Sequence, residues 1–289
     1  MSTTWIVTAD PRIGALVSLA RQAGGDITVV AVGDVACSGV EHLIVLETGG
    51  APAEAFAGAV AGVVNPAPGD LVLAADRPAE RVLAGAVAAR HGLPLLTGVR
   101  EVRAGEVEIA RFGGITIETV SAANPLVLVA DGGPATEGEP VAPERTEAPA
   151  GYPVRVVGEA TAAVTETDLS SAKRIIAAGR GIKAEGDLGL VRDLAAAIGA
   201  EVACSRPLAE GLDWLPKSSY IGVSGKTVKP QVYVAVGISG QLQHMVGAQD
   251  SQTVVAINSA ADAPIFAQAD YGVVGDLYEV LPALTQALR

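Results

Sequence analysis

The stretch from Val232 to Asp276, VYVAVGISGQLQHMVGAQDSQTVVAINSAADAPIFAQADYGVVGD, leaves few folds open to this chain. Val232 to Val236 are five apolar residues in succession, the pattern of a parallel strand buried on both faces. A tight turn follows, Gly237-Ile238-Ser239-Gly240. Glycine tolerates positive φ and lets backbone approach a ligand, and Gln241 to Val246 can open as a helix whose free N–H groups point back at the turn. Such a turn suits a phosphate, with the Ser239 hydroxyl as an added donor, although strand-to-helix glycine turns also occur where nothing binds. Thr253 to Ile257 reads as a second apolar strand ending at Asn258, a polar residue at the carboxyl end, where open α/β sheets bind ligands. Asp262 to Phe266 reads as a turn. Ala269 to Asp276 reads as a short third strand closed by an acid, before a last helix over Leu277 to Ala287.

The rest of the chain follows the same grammar. Strand patterns at Trp5–Thr8, Asp26–Val32, His42–Leu46 and Leu71–Ala75 alternate with helical ones at Ile13–Gln22, Ala53–Val64 and Glu80–His91. Val99–Val102, Val107–Phe112 and Thr116–Ser121 have the spacing of an antiparallel excursion with turns at Gly105 and Gly113-Gly114, and Pro125–Ala130 reads as the last strand of that half. Residues 132–153, rich in Pro, Gly, Glu and Thr, read as a linker. Beyond it come a strand at Val154–Val157, the acidic, Thr-rich Glu159–Asp168, a strand at Arg174–Ala178, Gly179-Arg180-Gly181, a helix at Glu185–Ile198 and a strand at Glu201–Cys204. The expected fold is α/β in two domains: an N-terminal parallel α/β domain over 1–131 and a C-terminal doubly wound, Rossmann-like domain over 154–289. With 49% apolar but only 3% aromatic residues, packing must rest on small and β-branched side chains, as in helix-covered parallel sheets.

Several function classes are disfavoured. A net charge of −12 without any basic run argues against nucleic acid. No apolar stretch is long enough to span a bilayer, and the N-terminus lacks a signal-peptide pattern, so a cytoplasmic protein without direct membrane insertion is expected. Two cysteines, Cys37 and Cys204, and three scattered histidines offer neither a disulfide framework nor metal-ligand spacing. Gly225-Lys226-Thr227 has the tail of a P-loop, but Tyr220 stands where that motif needs glycine.

Taken together, Val236–Gly240, Gln243-His244, Ala256–Asn258, Ala263–Phe266, Ala269–Gly272 and Gly275-Asp276 resemble the C-terminal signature of the α subunit of electron transfer flavoproteins. Departures are Gln241-Leu242 in place of the common Ala-Ile, Ala248 in place of Met, and Ala260-Ala261 before Asp262. The resemblance implies FAD as cofactor. It assigns phosphate binding to Ser239 and Gly240, cofactor contacts to the following Gln241, Leu242 and Gln243, and a contact with the flavin N1 and C2 carbonyl edge to His244. Arg206, after Ser205, would lie against the isoalloxazine ring, where a flat permanent cation can stack. Ile221-Gly222-Val223-Ser224-Gly225 matches a segment whose hydroxyl, here Ser224, bonds flavin N5; Val223 replaces a common Gln, so any contact by that side chain is lost. Arg180, Asn258, Asp276 and Leu277 match contacts to the rest of the dinucleotide, Asp276 doubling as a helix N-cap.

The resemblance further implies a heterodimer with an electron transfer flavoprotein β subunit. Such a pair carries electrons from a flavin dehydrogenase, such as an acyl-CoA dehydrogenase of fatty acid oxidation, to an acceptor oxidoreductase such as a quinone reductase, and breaks no substrate bond itself. Residues 131–153 are the candidate hinge for a C-terminal domain that swings. The rival reading is an NAD-dependent enzyme on a related domain, but no Gly-x-Gly-x-x-Gly follows the first strand and no catalytic base stands out.

Overall fold

The computed structural model describes every residue except Met1, Ala104, Ile115, 122–124, 159–168 and Ser170. The chain forms two compact units, Met1–Glu159 and Ala160–Arg289. The acidic stretch expected over Glu159–Asp168 thus lies outside the described residues.

In the N-terminal unit β1 (Thr3–Thr8), α1 (Gly14–Ala23), β2 (Asp26–Val32), β3 (His42–Glu47), α2 (Ala57–Val63), β4 (Leu71–Ala75) and α3 (Pro78–His91) follow one another as the apolar periodicity indicates. Then come β5 (Leu95–Arg103), β6 (Glu106–Arg111), β7 (Thr116–Ser121), β8 (Leu126–Ala130) and β9 (Glu144–Glu147). They form one sheet in the order β7-β6-β5-β8-β4-β1-β2-β3-β9, parallel except for the antiparallel excursion β5-β6-β7. Alternate residues of a strand feed opposite layers: Ile6 and Val29 pack towards Leu16 of α1, Val7 and Val30 towards Val60 of α2 and Leu83 of α3. Burial on both faces is why these strands read as unbroken apolar runs.

Residues 132–153, expected to link the domains, are bound into the N-terminal unit. Gly14 and Ala15 donate backbone N–H groups to Pro134 and Gly132, Val141 donates to Cys37, and Gly151 donates to Ala55 at 2.7 Å. β9 extends the sheet in parallel beside β3, and Arg145 reaches Asp34 at 2.8 Å. An exposed edge strand is held by backbone pairing and needs no apolar alternation, so composition alone hides it. Val154–Val157, expected to open the second domain, is irregular and belongs to the first unit.

The C-terminal unit contains β10 (Arg174–Ala178), α4 (Leu188–Ile198), β11 (Glu201–Cys204), α5 (Arg206–Ala209), β12 (Val232–Val236), α6 (Leu242–Met245), β13 (Val254–Asn258), β14 (Tyr271–Val274) and α7 (Leu277–Leu288). Its five strands are all parallel, in the order β11-β10-β12-β13-β14. One layer joins Ile176, Val234 and Val236 to α4 and α7; the other joins Tyr233 and Ala235 to Met245, Ala248 and Ile265. Among the described residues no helix is long and apolar enough to cross a membrane.

Both cysteines are buried and free. Burial pushes the Cys204 thiol up to about 12 and the Cys37 thiol upward as well. A thiol-specific chromogenic reagent should therefore titrate neither cysteine in the native protein and both in denaturant; a native thiol that reacts at once would show a local opening around that residue.

Candidate functional site

From β10 the chain passes to β11 on one side and returns to β12 on the other, so the crevice at the carboxyl ends of β10 and β12 is the topological switch point of a doubly wound sheet. Two glycine turns meet there. Gly179 donates its N–H to the Val236 carbonyl at 2.8 Å, and Gly181 donates to the Gly237 carbonyl at 3.0 Å. A Cβ on Gly179 would stand 2.3 Å from the Gly237 carbonyl oxygen, so only glycine permits this crossing. Above the turns opens a cavity of about 1090 Å³, at the upper end of the usual range for ligand sites.

One wall is the turn after β12. Ser239 and Gln241 line it, and the Ser239 carbonyl accepts from Ile265 N–H at 3.0 Å. The helix expected over Gln241–Val246 is a single turn, α6, because Gln241 is extended (φ −61°, ψ 148°) and acts as N-cap. A single turn carries little helix dipole, so the donors on this wall are the turn's own N–H and hydroxyl groups. Asn258 at the end of β13 lines the same wall and donates its amide to the Ile238 carbonyl at 2.9 Å, so its first task is to pin the turn.

The opposite end gathers Arg180, Asp276 and Leu277. Asp276 caps α7, accepting from Tyr278 N–H at 2.9 Å. Arg180 makes no ion pair among the described residues. The sequence reading missed two neighbours here, Lys183 and Tyr278. Tyr278 donates its hydroxyl to Asp187 at 2.6 Å and accepts from Lys183 N–H at 2.8 Å, while the Lys183 ammonium lies 4.9 Å from the Tyr278 ring centre. The one cue was Lys183 standing three residues beyond Arg180.

A third wall carries Ser205, Arg206, Val223, Gln243 and His244. Arg206 is not loose: its Nε bonds Glu210 at 2.8 Å, which pushes its pKa higher still. Tyr220, also unforeseen, lines the cavity, and its hydroxyl lies 3.2 Å from that of Ser224. His244 is buried, with Nε2 2.5 Å from the Tyr233 hydroxyl. Burial holds its pKa down to about 4; the Ile221 backbone pulls the other way, yet Nδ1 has no hydrogen bond of normal geometry. Six of the residues assigned to the cofactor, Ile221, Gly222, Ser224, Gly225, Gly240 and Leu242, stand outside the cavity wall. Ile221 is fully buried, and Gly240 is packed against Ile265 behind the turn.

The cavity's charged residues are Arg180, Lys183 and Arg206 against Asp262 and Asp276, a formal charge of +1 (3 − 2) in a chain of −12. That contrast favours an anionic ligand. Fold and cavity define an α/β protein with a doubly wound module whose switch point opens into a cavity of net positive charge.

The comparisons name the family. The Electron transfer flavoprotein domain matches residues 13–162, and the Electron transfer flavoprotein FAD-binding domain matches 168–249. The chain belongs to the electron transfer flavoprotein family, in its α-subunit branch. It is 53% identical over 126 residues to the electron transfer flavoprotein subunit YdiR of Escherichia coli K12, covering 44% of this chain and 40% of that protein. It is 54% identical over 121 residues to Protein FixB of Escherichia coli strain UMN026, covering 42% and 39%. The matched stretch thus spans about two fifths of these relatives.

Proposed function

We propose that this chain is the α subunit of a heterodimeric electron transfer flavoprotein, that it binds FAD in the cavity above β10 and β12, and that it carries electrons between a flavin dehydrogenase and an acceptor oxidoreductase. The observation that carries this reading is a cationic cavity at the switch point of a strongly acidic chain. The residues present fit a flavin dinucleotide. The glycine crossing admits backbone close to a pyrophosphate, with the Ser239 hydroxyl at hand, and Arg180 supplies an unpaired cation beside it. Asp276 keeps one carboxylate oxygen for ribose hydroxyls while the other caps α7.

When bound, the flavin supplies one- and two-electron chemistry. The chain's part is to hold it and bias its charge. Arg206, fixed by Glu210, keeps a permanent cation on the wall at every working pH, which favours a negatively charged reduced cofactor. Val223, apolar and 63% exposed, offers that cofactor no hydrogen bond. On this reading the chain is a carrier that breaks no substrate bond itself.

The test is reconstitution. Purified with its β subunit, the protein should show the visible absorption of flavin and bind FAD in preference to NAD. Arg180→Ala should weaken FAD by about ten- to a hundredfold, the worth of one charge-assisted hydrogen bond. A colourless complex that takes up no FAD overturns the reading, and uptake of NAD in its place would favour a nucleotide-dependent enzyme.

A further inference from the structure

Tyr233 heads the fully buried side chains by volume. It sits in the middle of the β10-β12-β13 core, where its ring serves packing. Its hydroxyl proton nevertheless needs an acceptor, since a buried donor left unmade is costly. Among the described residues that hydroxyl has one partner, His244 Nε2 at 2.5 Å, with the two rings tilted by 41° at 6.2 Å between centres. Burial drives the Tyr233 pKa far upward, so the phenol keeps its proton. His244 is neutral at neutral pH and carries one proton on one of its two nitrogens. If Nε2 held that proton, two donors would face each other unless the phenol proton turned away into apolar surroundings. The phenol therefore donates, Nε2 accepts, and the ring proton belongs to Nδ1. Nδ1 is buried and, although the Ile221 backbone lies close enough to the ring to favour its proton, makes no hydrogen bond of normal geometry, in a ring that forms part of the cavity wall.

We propose that Tyr233 is a positioning residue that fixes His244 as the Nδ1–H tautomer, so that the ring nitrogen left for a ligand is a donor and never a lone pair. A ligand carbonyl or an electron-rich ring nitrogen in the cavity satisfies that donor, whereas a ligand N–H placed there is refused. This consequence for the cofactor rests on the FAD reading above; the tautomer itself does not. The choice of Tyr at this fully buried strand position then has a reason beyond volume. Phenylalanine would fill the same space and leave the imidazole free to hold its proton on either nitrogen.

Nitrogen NMR of the full chain with its β subunit, labelled at histidine, reads the tautomer directly. The chain has three histidines, and His244→Gln assigns the signal. The wild type should show a protonated, pyrrole-like Nδ1 and a bare, pyridine-like Nε2 for His244. Tyr233→Phe should shift both signals towards a mixture of tautomers. A wild-type spectrum with the proton on Nε2 overturns the proposal, and because that spectrum needs no variant, poor folding of Tyr233→Phe does not shelter it. In the FAD-loaded complex Tyr233→Phe should also lower the flavin reduction potential. A changed tautomer with an unchanged potential overturns the link from Tyr233 to the cofactor. Failure of the wild type to take up FAD sinks the cofactor reading instead and leaves the tautomer measurement standing.

Discussion

Gly240→Ala should destabilise the C-terminal unit by about 2–5 kcal/mol and abolish FAD uptake. Two costs add. Gly240 lies at φ +81°, where a side chain costs about 1–2 kcal/mol. The new Cβ would also stand 2.4 Å from both Cα and N of Ile265, an overpacking of a kind that costs about 1–3 kcal/mol. Neither side can yield cheaply, because Ile265 N–H donates to the Ser239 carbonyl at 3.0 Å and the Gln268 amide donates to the Gly240 carbonyl at 3.0 Å. Relief means displacing the turn from Ser239 to Gln241, which forms a cavity wall. Gly189→Ala is the matched control, on α4 in the same unit with nothing within 4 Å of the new Cβ. It should stabilise by about 0.5–1 kcal/mol. Urea unfolding of the two variants should therefore move in opposite directions. Gly240→Ala unfolding at the wild-type midpoint with normal FAD uptake would mean that the turn relaxes without consequence.

The architecture was readable where a strand is buried on both faces. Arg174–Ala178 and Val232–Val236 occur with the expected ends, because apolar runs ended by glycine have few other uses. The 132–153 stretch was misread because an edge strand such as β9 leaves its stabilising groups in the backbone, where composition does not register them. The helix expected over Gln241–Val246 occurs as α6 but starts one residue later, because the extended Gln241 carries the chain out of the Gly240 turn. At the site, residue types announced themselves and their alliances did not. Arg206 was expected against the cofactor ring with no partner of its own named, and four residues on, Glu210 holds its Nε. Asn258 looked like a ligand contact, but its amide is tied to the turn. Tyr233, inside an apolar strand, carried no mark of a polar role, since its partner His244 is defined only by which face of β12 the ring occupies.

Between about pH 6.5 and pH 4 the ligand-free C-terminal unit should lose up to about 3 kcal/mol of stability on account of His244 alone. A histidine in the unfolded chain titrates near 6.5 and this one, folded, at about 4. Within that window the unfolded state binds a proton that the folded state refuses, so each unit of acidification favours unfolding by about 1.4 kcal/mol. The contribution is intact above pH 6.5, falls through the window, and changes no further below about 4. Asp10 works in a separate, lower range. The Arg12 guanidinium holds its carboxyl down to about 2, so its contribution is intact above about 3.8 and is lost as pH falls towards 2. It also belongs to the other unit. Urea unfolding from about pH 7 to about pH 4 should show the slope in wild type and not in His244→Gln, whose neutral amide can still accept from Tyr233. Parallel curves would mean that the imidazole protonates in place and that its burial does not govern its charge. A bound acceptor beside the ring reverses part of this penalty, because it favours a proton on both nitrogens, and by reciprocity acid should then tighten its binding. The loaded protein should accordingly lose less stability across the same window than the ligand-free one.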